Sequence, residues 1–159
     1  GVIYMREIIK KEVLKRNLEW NDENAHKVGV KLTSRNPFYF GEILLKYIYS
    51  LPHEYVLIEG IKSINEVIYL KRKLKENFKI VAILAPKNVR FKRIKERAIQ
   101  EGRNEIKTLK DLERRERRER EYGLDKILRK ADYKILNCGI PKEKISFIFR
   151  KILHELWEG

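Results

Sequence analysis

Along the first fifty residues apolar positions recur at helical spacing; beyond them short unbroken apolar runs alternate with further helical stretches. That alternation predicts an α/β protein with a parallel sheet and helices on both faces. Val2-Ile3-Tyr4-Met5 reads as a short strand. From Glu7 to Arg16 a helix follows, with Ile8, Ile9, Val13 and Leu14 on its apolar face. Asn21 or Asp22 can cap a second helix that runs to about Leu32, and Ser34-Arg35-Asn36-Pro37 breaks it. A third, Phe40 to Tyr49, turns Ile43, Leu44, Tyr47 and Ile48 inward.

Tyr55-Val56-Leu57-Ile58 and Lys79 to Leu84 are compact runs, closed by Glu59-Gly60 and Ala85-Pro86, and Asp132 to Asn137 is a third. The first two do not alternate polar and apolar, the pattern of strands covered on both faces. Between them, Ser63-Ile64-Asn65-Glu66 has the capping-box form, opening a helix to about Glu76. Pro86 suits the first turn of a helix through Phe91 and Ile94, and another runs from Lys142 to Trp157. Lys110 to Glu121 is a charge-dense helix, capped near Thr108. Its pairs Glu113–Arg117, Glu116–Arg120 and Arg117–Glu121 stand four residues apart, as on a solvated, salt-bridged face; the other reading is an arginine surface that grips phosphates.

Composition adds three constraints. A chain of 159 residues, 43% hydrophobic, is read as one domain with a core, and its Lys, Arg, Glu and Ile content suits a thermophile. No apolar run is long enough to span a bilayer and no signal peptide stands out, so no membrane is expected. The single cysteine, Cys138, excludes an internal disulfide and suits a reduced cytoplasm. His26, His53 and His154 have no metal-ligand spacing. The net charge of +14 attracts polyanions, so nucleic acid is a candidate partner beside a nucleotide-like small molecule.

Several pieces stand in an order that resembles a known family. These are Glu59-Gly60-Ile61-Lys62-Ser63; Arg90-Phe91-Lys92-Arg93 with Arg97; Arg115-Glu116-Arg117-Arg118-Glu119; Tyr122-Gly123; and Ala131-Asp132-Tyr133 to Asn137. Together they resemble the archaeal adenylate-kinase-related, dephospho-CoA-kinase-like branch of the P-loop nucleoside monophosphate kinases. The resemblance covers about Tyr55 to Asn137 and, more weakly, Met5 to Glu12. It implies transfer of a phosphoryl group from ATP, with Mg²⁺, to a small nucleotide-like acceptor. Glu59 would order the metal, Arg93, Arg97, Arg115 and Arg118 would neutralise the transferring phosphates, and Lys62, Arg90 and Arg103 would bind nucleotide. Glu7 and Lys10 fall at acceptor-facing positions, and residues 98–122 match the family's helical lid.

Departures are equally plain. Glu59 and Lys62 stand where the family has Asp and Arg, and Lys loses the bidentate fork of a guanidinium. The eight glycines, Gly1, Gly29, Gly41, Gly60, Gly102, Gly123, Gly139 and Gly159, cannot form G-x-x-x-x-G-K-[ST], the loop that cradles a triphosphate. The family's first strand, central in its order 2-3-1-4-5, is missing with that loop. Three arrangements answer this. A longer protein supplies the strand, which Gly1 in place of an initiator Met favours; the runs around Val56 and Val81 pair directly; or a partner or second copy inserts a strand. The rival function is a non-catalytic basic protein that binds nucleic acid or a ribonucleoprotein.

Overall fold

The computed structural model describes residues 1–100 and 106–158. The chain divides into two compact units, Gly1–Phe78 with Glu121–Leu124, and Lys79–Arg120 with Asp125–Gly159.

The first unit begins with β1 (Val2–Tyr4), which runs straight into α1 (Met5–Leu14). Then come α2 (Asp22–Arg35), α3 (Tyr39–Ser50), β2 (Leu57–Glu59) and α4 (Ile64–Leu74), closed by a 3₁₀ turn at Lys75–Asn77. The local signals act where the sequence places them. Asn21 caps α2 by accepting the Asn24 N–H at 2.8 Å, and Ser63 caps α4 by accepting the Asn65 N–H at 3.3 Å. β1 and β2 pair in parallel, with Ile3 opposite Ile58 and Tyr4 opposite Glu59. Ile3, Met5, Ile8, Phe40, Leu44 and Leu70 form the core, against which Ile58, Ile43 and Tyr69 pack. Burying side chains of this size contributes roughly 1.5–3 kcal/mol each.

Two expectations for this unit change. Leu14 is half exposed, whereas Glu12 takes a place on the buried face of α1 with Met5 and Ile8. Positions 5, 8 and 12 fall on one side of a 3.6-residue helix and Leu14 does not; ion pairs make Glu12 tolerable there. β2 is also covered on one face only. Val2, Tyr4 and Leu57 point to the other face and stay 44–50% exposed.

In the second unit β3 (Val81–Leu84) leads into α5 (Lys87–Gln100), followed by α6 (Leu109–Glu121), α7 (Leu124–Arg129), β4 (Tyr133–Leu136) and α8 (Lys142–Glu158). The turn from α6 into α7 is counted with the first unit. β3 pairs with β4 in parallel, Ala82 opposite Lys134 and Ile83 opposite Ile135. Asp132 extends the register by accepting the Ile80 N–H at 2.8 Å. Thr108 and Asp111 cap α6 reciprocally, the Asp111 N–H donating to Oγ1 at 3.2 Å and the Thr108 N–H to Oδ2 at 2.8 Å. The six-residue α7 is too short to show a period in sequence.

Among the described residues the strand order is β1-β2 in one sheet and β3-β4 in the other. β2 and β3 do not pair, which overturns direct pairing of the runs around Val56 and Val81. Each keeps one unpaired edge. The N–H and C=O groups on those edges take no partner from another described strand.

α3 and α4 approach closely at Gly41, where an added Cβ would stand 2.9 Å from Tyr69 Cδ1 and 3.0 Å from Tyr69 Cβ. Because Tyr69 Cβ is tied to its backbone, the clash outweighs the helix propensity of alanine, worth about 1 kcal/mol. Gly41→Ala is therefore expected to lose roughly 1–2 kcal/mol in urea unfolding. A gain, as propensity alone demands, would disprove the close approach.

Candidate functional site

Parallel strands bring the residues that follow them to one end of the sheet, where α/β proteins build their sites. In the first unit that end holds four expected residues. Glu59 is the last residue of β2 and exposed, opposite Tyr4 in register. Glu7 and Lys10 lie on the first turns of α1, directly after β1, Glu7 exposed and Lys10 half-buried. Lys62 is half-buried in the segment between Gly60 and the cap of α4.

In the second unit Arg90 and Arg93 reach the residues that follow β3 and β4. On α5, Arg90 Nε donates to the Ala85 carbonyl at 2.9 Å and its guanidinium pairs with Glu116. Arg93 donates to the Asn137 carbonyl at 3.2 Å, tying α5 to the residue after β4. Arg97, one turn on, is exposed. On α6, Arg115 bonds Glu119 at 3.2 Å, and Arg118 is half-buried. Arg103 lies outside the described residues. Glu113 and Glu116 do not form the expected pairs within α6: they bond Lys87 and Arg90 of α5. A second helix offers cations to both carboxylates, and tertiary pairing replaces the i,i+4 contacts. Lys87 holds the Glu113 carboxyl below its ordinary range by hydrogen bond and charge.

The sites are open. Concavities of about 510 Å³ along α8, lined by Phe147, Arg150, Lys151, His154 and Glu155, and about 310 Å³ beside Lys110, Glu113, Arg114 and Arg117, include none of the residues to which the resemblance gives a role. No cluster of three metal-ligating side chains occurs among the described residues, and Cys138 is free. No described helix is long and apolar enough to cross a membrane.

Sequence reasoning passed over the most unusual groups. Glu66, visible only as the last letter of a capping box, is 6% exposed, and its Oε2 has no hydrogen-bond partner. Burial pushes its carboxyl up to about 7, against the downward pull of the Ser63 and Lys62 backbone N–H groups and the Lys62 charge. Glu12, 5% exposed, moves the opposite way. Burial raises it, but hydrogen bonds from Lys15 at 2.9 Å and from Arg16, with the Lys15 charge, hold it below the usual range. His26 Nδ1 hydrogen-bonds the Tyr122 hydroxyl, a pair 96 residues apart that no local spacing reveals.

The fold is thus α/β, built from parallel strand pairs with charged residues at their carboxyl ends. No family model matches the chain. It is 31% identical over 139 residues to a UPF0200 protein of Methanosarcina mazei, covering 86% of this chain and 72% of that protein. Identity to a UPF0200 protein of Thermococcus kodakarensis is 29%, over 97% of this chain and 83% of the relative. A UPF0200/UPF0201 protein of Archaeoglobus fulgidus is 30% identical over 98% of this chain, which spans only about half the length of that relative, 48%. The chain belongs to the UPF0200 family of archaeal proteins. Those names state a family and no activity.

The two buried carboxylates predict opposite pH dependences. The Glu66 pKa rises from 4.5 to about 7 on folding, so its contribution is fully present below pH 4.5 and is lost as pH rises to 7. That loss is roughly 3 kcal/mol. The stability of Glu66→Gln minus that of the wild type should therefore climb by that amount between pH 4.5 and 8 in denaturant unfolding. A difference that stays flat would show that Glu66 is solvated. For Glu12, with a lowered pKa, stability is instead lost as pH falls through the carboxylate range, and Glu12→Gln should remove that acid sensitivity.

Proposed function

We propose that this chain is the body of a nucleotide-kinase-like phosphotransferase. A phosphate-binding strand and loop, pairing with the unpaired edges of β2 and β3, would complete it. An oxygen of a small nucleotide-like acceptor would attack the γ-phosphorus of ATP as the bond to the β–γ bridging oxygen breaks, releasing ADP.

The observation that carries this reading is the strand pairing. A sheet of order 2-3-1-4-5 without its first strand leaves the pairs 2-3 and 4-5, both parallel, with strands 3 and 4 unpaired to each other. β1-β2 and β3-β4 have that pattern. The exposed carboxylate of Glu59 at the end of β2 suits Mg²⁺, which keeps several waters and takes few protein ligands. Arg93, Arg97, Arg115 and Arg118 supply positive charge for the transferring group, Lys62, Arg90 and Arg103 for the nucleotide phosphates, and Glu7 with Lys10 flanks the acceptor. The backbone N–H cradle that a triphosphate needs is not formed by these residues, and the reading assigns it to the completing strand and loop.

The test is calorimetric titration of Mg²⁺·ATP into this chain and, in parallel, into the full-length M. mazei relative, at low and high salt. Saturable, salt-resistant binding by the relative alone is expected, and alanine at its counterpart of Glu59 should abolish the Mg²⁺ dependence. Absence of binding by the relative would refute the reading.

One observation favours a polyanion-binding role as a second reading. Charge is segregated: the second unit has 23 Lys and Arg against 12 Asp and Glu, a net +11, and the first has 14 against 11, a net +3. α5 alone carries six cations and one glutamate. Lys92→Ala with Lys95→Ala, both outside the phosphotransfer set, should then shallow the log affinity–log salt slope for single-stranded RNA by ~1.4. An unchanged slope would remove α5 from any RNA interface.

A further inference from the structure

Glu66 stands at the start of a short chain of contacts within the first unit. Its carboxyl faces the backbone N–H groups of Lys62 and Ser63 at the N-terminus of α4, while its second oxygen is buried without a partner. Two residues earlier, Ile64 donates its N–H to the Tyr122 carbonyl at 2.9 Å. Its side chain lies so close to Gly123, which has φ +89°, that an added Cβ there would stand 2.8 Å from Ile64 Cγ2 and 2.9 Å from Ile64 Cβ. Tyr122 is held a second time, by His26 of α2. The turn Glu121–Leu124 is therefore fastened as part of the first unit, although α6 before it and most of α7 after it belong to the second.

We propose that Glu66 is a proton-operated latch: its neutral carboxyl keeps the first turn of α4 seated, and its ionisation favours an opened form that releases the Glu121–Leu124 turn. The physical basis is the unpartnered oxygen. A neutral carboxyl can be buried at modest cost, whereas a carboxylate with one oxygen unbonded is driven toward water. To reach water Glu66 must leave the N–H groups it faces, which unseats Ile64 and with it the Tyr122 carbonyl and Gly123. Lys62, from the segment entering α4, is the charged group that faces Glu66, and it pulls toward ionisation. From α2, His26 is the titratable group that faces the turn. The latch does not depend on the phosphotransferase reading.

Amide hydrogen exchange of the whole 159-residue chain, corrected for the intrinsic pH dependence of exchange, reads the latch directly. In the wild type, opening at residues 64–67 and 122–124 should rise about tenfold per pH unit from the ordinary carboxyl range and level off where Glu66 titrates in the folded chain. Glu66→Gln should abolish that rise. His26→Gln should raise opening at every pH yet keep the slope. Carboxyl ¹³C titration of the wild type supplies the check that needs no variant: its Glu66 midpoint must coincide with the onset of the plateau. A slope that survives in Glu66→Gln, a slope lost only in His26→Gln, or a Glu66 midpoint in the ordinary carboxyl range would each overturn the proposal.

Discussion

Parallel strands cannot be joined by a tight turn, and that constraint organises both units. A parallel neighbour is reached only through a crossover that returns the chain to the starting end. α1, α2 and α3 fill this role between β1 and β2, and α5, α6 and α7 between β3 and β4. The same crossovers supply the covering layer, so Ile3 and Ile58 meet a core of Ile8, Phe40, Leu44 and Leu70. They also bring Glu7 and Glu59 to one sheet end, and Arg93 and Asn137 to one end of the other.

Charge is handled differently in the two units. In the second, the glutamates of α6 meet cations of α5 at a half-exposed surface, where ion pairs add little to stability but hold side chains in place. In the first, two carboxylates enter the interior. Glu12 does so with Lys15 and Arg16 as partners, and Glu66 beside the Ser63 and Lys62 backbone N–H groups with its Oε2 unpartnered. At Glu12 the charged partners together outweigh burial, and at the more deeply set Glu66 burial prevails, so the shifts are opposite. The paired group is held in its charged form; the half-satisfied one is held in its neutral form by burial.

Membership of the UPF0200 family and the pairing of the strands constrain function from different sides. Family membership places the chain among archaeal relatives that are, in the cases compared, longer than the matched segment. The strand pairing leaves unpaired edges on β2 and β3, which are costly when exposed. Both are met if further polypeptide pairs with those edges, the premise on which a phosphate-binding role rests.

Sequence by itself determined the local structure. Asn21, Ser63 and the Thr108–Asp111 pair announce three helix starts, and the runs ending at Glu59, Leu84 and Leu136 announce strands, because caps and apolar periodicity act over a few residues. It also put Glu59 at a strand end and Arg93 on the helix that follows β3, since motif order along an α/β chain maps onto position. Tertiary structure alone decided that Glu113 and Glu116 turn to α5, that Leu14 faces water while Glu12 is buried, and that β2 and β3 stay unpaired. It alone decided that Tyr122 meets His26 and that Glu66 loses its solvent. Burial and long-range partnership belong to packing between segments far apart in the chain, and no window of neighbouring residues contains that information.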